Sequence, residues 1–369
     1  MYKINLINSK KKEVIILDTI TSQYVTSCIP KNIDYYEIGV RNEINIALNI
    51  NFFLLFCYYF FKTKKIMISS ILSLCNLKRT KIIISNLDNA EFITKLNQYN
   101  TSLNVIMIQN GLKNQNDLHG WSKIKRFPIL YGFGEYEEKL LGSMKKPVDE
   151  YISAGSLKLG IYKKIFSKKI KNKLNNITYI SQYKYSLENK KDNQIWLDHK
   201  IKILQYLESI DKNFKILLRN QMDTFDEKKE INFYSKLKFL NKKKNFLKKE
   251  KNDYDSYNHC ENSKILVSYF STLAVEFYGI GAKVLFLGGI PDVKEVSENY
   301  VGFLPNLPEF TKITTNNVEE IKSKIKFLQN MSHSEYLDLT ASSRNFVMHY
   351  KKDFMHELIK KKITNILYN

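Results

Sequence analysis

The sequence predicts an α/β fold of two domains, each built on a parallel sheet. Three observations lead there. At 369 residues the chain is longer than one ordinary core and suits two. Hydrophobic residues at 44% and aromatics at 13% can fill both cores, which excludes a disordered chain. Short apolar runs of strand type alternate with helical patterns, as in chains of βαβ units.

Taken in order, Glu13–Asp18 is the first predicted strand and Asp34–Gly39 a second, with Glu37 inside it. Helices are predicted over Asn42–Phe61 and Ile66–Leu77. Lys81–Ser85 is a clear strand, and Asn86, Asp88 and Asn89 after it suit a turn and the start of the helix Glu91–Tyr99. Asn104–Gln109 is the next strand and leaves into Asn110-Gly111. Sites in parallel sheets form on loops beyond the C-terminal strand ends, so Ser85–Asn89 and Gln109–Gly111 are candidate site loops. Leu112–Arg126, with Asp117, His119 and Trp121, reads as a polar loop or lid. Pro128–Gly134 is a strand ending in two glycines, without the third glycine of a dinucleotide fingerprint. A helix over Tyr136–Met144 and an extended piece, Tyr151–Ala154, lead to Gly155-Ser156. The basic stretch Lys163–Lys173 is the linker candidate.

The second domain opens with a strand over Asn176–Gln182, whose end carries Ser181 and Gln182. An amphipathic helix over Asn193–Ile210 precedes the strand Phe214–Arg219. An arginine at that strand end suits bidentate phosphate binding, and equally a surface position. Phe225–Lys251 is lysine-rich and reads as a helix with a solvated face, with a basic edge toward membrane lipid as the alternative. Lys264–Leu287 reads as strand, helix, strand: Ile265–Val267, a helix opened by Ser271 and Thr272 and closed by Gly279 and Gly281, then Val284–Leu287. A helix N-terminus with two hydroxyls is an anion site, and Glu276 one turn further on can accept hydrogen bonds from a ribose diol. A capped βαβ unit without a ligand accounts for the same residues. Tyr300–Pro305 is an aromatic loop, and helices over Asn317–Asn330, Ser332–Phe346 and Lys351–Leu367 close the chain.

Ser268-x-x-Ser271-Thr272-Leu273-Ala274-x-Glu276 followed by Gly281-x-Lys283-Val284 resembles the C-terminal donor-site motif of GT-B glycosyltransferases, in particular the bacterial surface-carbohydrate (capsule and O-antigen) biosynthesis proteins. Ser85-x-x-Asp88-Asn89 and Gln109-x-Gly111 are similar to two strand ends of the same group. Asn110 stands where many transferases of the wider group carry His. The resemblance covers most of the chain past about Lys81. It implies two Rossmann-type domains with parallel sheets facing across a cleft: an acceptor domain over 1–162, a nucleotide-sugar domain over 174–345 and a closing helix over 346–369. It also implies nucleotide contacts from Ser271, Thr272, Glu276, Ser268, Ser181, Gln182 and Arg219. Gln109, Asn110, Gly111, Gly155 and Ser156 fall on the acceptor side, and Asp88, His119 and Glu37 are the candidates for a general base, Asp88 first.

The implied activity is glycosyl transfer from a nucleotide sugar, with a CMP-linked acidic sugar favoured, to a glycan or lipid-linked saccharide acceptor. The alternatives are a glycerol- or ribitol-phosphate transferase of teichoic type, a sugar-nucleotide epimerase, and a non-catalytic nucleotide-sugar-binding subunit. No cofactor or metal is expected beyond the donor itself, because a helix N-terminus, hydroxyls and a cation can stabilise the leaving phosphate. The one D-x-D spacing, Asp253-Tyr254-Asp255, falls in a polar linker.

Lys+Arg 58 against Asp+Glu 37 gives a net charge of +21. Solvated lysines account for most of it. The functional reading is attraction to nucleotide sugars, lipid phosphates or an anionic inner-membrane face. Nucleic acid is not expected as a partner, since zinc-finger spacing, an RNP-like motif and an Arg-rich stripe are all missing. Cys28, Cys57, Cys75 and Cys260 are scattered and read as reduced. The six histidines never fall at metal-ligand spacing. The N-terminus lacks a signal-peptide h-region, so a cytoplasmic chain is expected. Phe52–Phe61, followed by Lys62, Lys64 and Lys65, is too short to span a bilayer. It reads as a buried helix, with peripheral membrane contact as the alternative.

Overall fold

The computed structural model describes residues 2–5, 10–40, 44–47, 49–113, 121–166, 176–183, 194–221, 224–249, 254–269, 271–288, 306–313, 317–350 and 352–368. His119, Asp117, Asp253, Tyr300–Pro305 and most of the linker candidate lie outside the described residues. The chain divides into two compact units, 1–161 with 349–369, and 162–348.

The first unit is built on a fully parallel sheet. Its strands are β2 (Val14–Leu17), β3 (Tyr35–Ile38), β5 (Ile82–Ser85), β6 (Asn104–Ile108), β7 (Phe127–Gly132) and β8 (Val148–Ser153), in the order β3-β2-β5-β6-β7-β8. β2 and β5 are buried at every residue. Strands covered on both faces need continuous rather than alternating apolar residues, and the runs VIIL and IIIS supply them. The C-terminal helix Met355–Tyr368 belongs to this unit and buries Met355, Ile359 and Ile363.

The region before residue 81 departs from expectation. Ile44–Ala47 is not the first turn of a helix but a strand, β4, paired in parallel with β1 (Tyr2–Asn5). The helix α1 (Ile50–Thr63) starts at Ile50 because the Asn49 side chain caps it, accepting from the N–H groups of Asn51 at 2.8 Å and Phe52 at 3.3 Å. Nor is α1 a buried helix: only Tyr59 and Thr63 are buried, while Ile50, Phe53, Leu54, Tyr58 and Phe61 are exposed. The second helix, α2 (Ile66–Lys78), takes the core position, burying Ile68, Ile71, Leu72, Leu74 and Cys75.

The second unit carries a parallel sheet of β9 (Ile177–Ile180), β10 (Lys215–Gln221), β11 (Phe246–Lys249), β12 (Ile265–Ser268) and β13 (Val284–Phe286), in the order β11-β10-β9-β12-β13. β11 lies inside the lysine-rich stretch expected to be helical. That stretch is instead the helix Phe225–Ser235, one turn over Lys242–Asn245, and this edge strand. Lysines are common on edge strands, where they discourage further pairing, so charge alone misreads them. Asn317 and Ser332 cap the helices Val318–Asn330 and His333–Val347, accepting from the N–H groups of Glu319 and Glu335. Among the described residues no helix is long and apolar enough to cross a membrane.

Two glycines of the first unit test the packing in opposite directions. Gly155 has φ +71°, and a Cβ there would lie 2.4 Å from the Tyr350 ring. Gly142 sits inside the helix Glu135–Ser143 with nothing within 4 Å of a new Cβ. Gly155→Ala is expected to lower the melting temperature by several degrees. Gly142→Ala is expected to stabilise by up to about 1 kcal/mol. Thermal denaturation of the two variants checks both signs.

Candidate functional site

In the second unit, Ser181, Gln182, Arg219, Ser271 and Thr272 line one cavity of about 380 Å³, together with Lys249. The topology explains why. β9, β10 and β12 are neighbouring parallel strands, so Ser181 and Gln182 past β9, Ser271 and Thr272 past β12, and Arg219 within the C-terminal half of β10 gather at one edge of the sheet. The helix α3 (Thr272–Gly279) starts at that edge with Ser271 as its N-cap residue. The Ser271 side chain makes no capping hydrogen bond, although an N-cap serine ordinarily makes one to the first turn.

The back of the cavity is held by Glu230, fully buried on the helix Phe225–Ser235. Its carboxylate accepts from the backbone N–H of Arg219 at 2.9 Å and of Asn220 at 3.0 Å, and from Asn220 Nδ2 at 2.9 Å. The Ser181 hydroxyl also donates to Glu230 and lies 2.8 Å from the Tyr234 hydroxyl. Ser181 is therefore tied into the wall, whereas the exposed Arg219 guanidinium is fixed by the Tyr183 carbonyl at 3.1 Å. Lys249, on β11, donates to the Arg219 carbonyl. Two cations, Arg219 and Lys249, thus border the cavity close to a helix N-terminus.

Two predicted nucleotide residues are not among those lining this cavity. Ser268 ends β12 fully buried, and its hydroxyl has no hydrogen-bond partner among the described residues. Glu276 is 4% exposed on α3. Lys283, the other end of the motif, serves the packing of the unit. Its ammonium caps the C-terminal carbonyls of Leu328, at 2.6 Å, and Met331.

In the first unit the strand-end residues form a second polar cluster. Asp88, past β5, is fully buried and pairs with Lys113 at 3.0 Å. The Lys113 ammonium also sits 5.5 Å from the Trp121 ring centroid. Burial raises the Asp88 pKa, and Lys113 opposes that shift. Asn110 donates to the Asn86 carbonyl at 3.1 Å, joining the loops after β5 and β6. Gln109 donates to the Gly111 carbonyl at 2.9 Å and to Glu137 at 3.0 Å, and accepts from the Phe133 N–H at 3.0 Å. Ser156 accepts from the Leu159 N–H at 3.3 Å and so caps the helix Leu157–Phe166, with Gly155 as the turn before it. Glu37 sits half-buried on the edge strand β3, opposite Ile16 of β2, so that β2 stands between it and the strand that leads to Asp88.

Sequence reasoning alone misses Lys249, Glu230, Lys113 and Glu137. Lys249 and Lys113 are hidden among 58 basic residues. The acidic pair carries no motif, although Glu137 stands three residues after Gly134, at the capping-box position.

The sequence model of a family described as "putative O-antigen biosynthesis protein" matches residues 106–363, more than two thirds of the chain. The chain belongs to that family. No curated protein sequence matches it significantly. Among solved structures, this O-antigen biosynthesis family member is similar to Staphylococcus aureus MnaA in a co-structure with UDP: TM-score 0.56, 11% identity, covering 97% of this chain and 96% of that one. It is also similar to the Methanocaldococcus jannaschii UDP-GlcNAc 2-epimerase in complex with UDP-GlcNAc and UDP, at TM-score 0.54 and 13% identity over 98% and 100% of the two chains. The wall teichoic acid polymerase TagF, as its H548A variant, matches at TM-score 0.52 and 13% identity over 97% and 91%. At these identities the likeness is one of fold. The O-antigen family member has the GT-B-like architecture that its sequence predicts.

The buried Glu137 gives a pH test. Burial raises its pKa from an ordinary 4.5 to about 7, against the opposing hydrogen bonds from Gln109 and the Gly134 N–H. The folded chain then keeps this proton to higher pH than the unfolded chain. The associated stability is present below about pH 4.5 and is lost as pH rises to about 7. The loss is up to about 3 kcal/mol. Denaturant melts from pH 4.5 to 8 should show this slope in the parent and a flatter one in Glu137→Gln. Parallel slopes would contradict the assignment.

Proposed function

We propose that this O-antigen family member is a nucleotide-sugar-dependent glycosyltransferase of surface-polysaccharide biosynthesis. Its donor site is the cavity at the C-terminal ends of β9, β10 and β12. The observation that carries the reading is the convergence of Ser271, Thr272, Arg219 and Lys249 on that cavity at the start of α3. Hydroxyls, a helix N-terminus and two cations suit a phosphate or diphosphate. The structures of similar fold that hold UDP or UDP-GlcNAc support a uridine diphosphate donor, beside the CMP-linked acidic sugar that the sequence motif favours.

In the proposed reaction an acceptor hydroxyl attacks the anomeric carbon. The bond from that carbon to the phosphate oxygen breaks, and the nucleotide leaves with the electron pair. Arg219, Lys249 and the first N–H groups of α3 would stabilise the developing phosphate charge, with no cofactor beyond the donor. Asp88 is the base we assign on the acceptor side, with Gln109, Asn110 and Gly111 forming the adjoining loop. Burial raises its pKa above the ordinary carboxyl value, which favours proton uptake, while Lys113 opposes the shift. The acceptor we propose is a glycan or lipid-linked saccharide. A second reading, a sugar-nucleotide 2-epimerase, is favoured by the fold likeness to the M. jannaschii enzyme.

Thermal-shift titration with CMP, CDP, UDP and GDP tests the site. One nucleotide is expected to raise the melting temperature of the parent and not of Ser271→Ala or Arg219→Ala. No shift in folded protein with any of the four would sink the donor-site assignment. Asp88→Asn is expected to keep nucleotide binding and lose about 100-fold or more of acceptor-dependent nucleotide release. Interconversion of UDP-GlcNAc with its 2-epimer, without acceptor-dependent release of UDP, would select the epimerase reading instead.

A further inference from the structure

The α1–α2 hairpin of the first unit is built the wrong way round for a soluble surface. Ile50, Phe53, Leu54, Tyr58 and Phe61 recur at spacings of three and four residues on α1, and all five are exposed. Phe61 is 73% exposed and Ile50 70%. At the tip, Ile66 and Met67 of α2 are exposed as well. Contiguous exposed apolar surface of this kind marks an interaction site rather than scatter.

The charge around the patch selects the partner. From Ile44 to Leu87 the chain has no Asp or Glu, but carries Lys62, Lys64, Lys65, Lys78, Arg79 and Lys81. Three of these cations stand at the hairpin tip beside the apolar stripe, and the Lys64 ammonium lies 5.6 Å from the Phe61 ring centroid. An aromatic and aliphatic face edged by lysines fits the boundary between acyl chains and anionic headgroups. Two copies of this chain meeting on the stripe would set Lys62, Lys64 and Lys65 of each against those of the other, with Glu91 near Lys65 as the acid beside them. We infer that the α1–α2 hairpin docks on an anionic phospholipid bilayer, seating Phe53, Leu54, Tyr58 and Phe61 among the headgroups while Lys62, Lys64 and Lys65 meet lipid phosphates.

This inference does not depend on the nucleotide site. The test is co-sedimentation of the full chain with vesicles of phosphatidylcholine alone and of phosphatidylcholine with one quarter phosphatidylglycerol. The variants are Phe53→Ser with Phe61→Ser, Lys62→Gln with Lys64→Gln and Lys65→Gln, and a control in which Lys242, Lys243 and Lys244 become Gln. The parent is expected to bind only the anionic vesicles, and less at high salt. Each hairpin variant should lose at least tenfold in partitioning with an unchanged melting temperature, while the control stays within twofold. Failure of the parent to bind anionic vesicles would overturn the inference. Equal loss in the control would overturn it too, since general basicity would then explain binding. So would a parent dimer in sedimentation velocity that Phe53→Ser with Phe61→Ser dissociates while vesicle binding is unchanged.

Discussion

One buried carboxylate, Glu230, is the constraint on which the polar edge of the second unit depends. A carboxylate without solvent is stable only where hydrogen bonds replace its hydration. Here the amides of Arg219 and Asn220, the Asn220 side chain and the Ser181 hydroxyl do so. The same bonds fix the ends of β9 and β10 against each other, which sets where the Arg219 side chain leaves the strand. The cavity, and the phosphate chemistry proposed for it, follow from that placement.

The first unit uses the same device with a different acid. Glu137 accepts from Gln109 and from the Gly134 N–H, while Gln109 also holds Phe133. Parallel strands make such ties necessary. Their C-terminal ends project polar loops into one edge of a largely apolar layer, and those groups must satisfy one another. Asp88 with Lys113 is the most constrained case, because removing one partner of a buried pair leaves the other charge uncompensated.

Much of this is legible in the sequence. Apolar runs place most strands, and the pattern of Ser271, Gly279 and Gly281 places α3 from cap to closing turn. Sequence pattern and resemblance assign Ser181, Gln182, Arg219, Ser268, Ser271, Thr272 and Glu276 to one site; all but Ser268 and Glu276 line one cavity. What is illegible has physical causes. β4 (INIA) runs almost directly into the apolar stretch of α1, and the two lysines of β11 (FLKK) hide it in a lysine-rich stretch, so neither stands apart from its helical neighbours. The aromatic run of α1 reads as core because composition cannot say which of two apolar helices takes the inner position. Glu230 and Glu137 matter through partners distant in sequence, which a linear reading cannot supply. Glu37 shares its expected role with Asp88, yet strand order sets it on the edge strand, with β2 between it and β5.

The central claim is that a nucleotide phosphate binds where β9, β10 and β12 end and α3 begins. Hydrogen exchange of the parent with and without the nucleotide that shifts its melting temperature tests this most directly. The account predicts slowed exchange at the amides of Ser271 to Ala274, with protection extending to Ser181, Gln182 and Arg219. Protection confined to the first unit, or spread evenly with none at the start of α3, would contradict it.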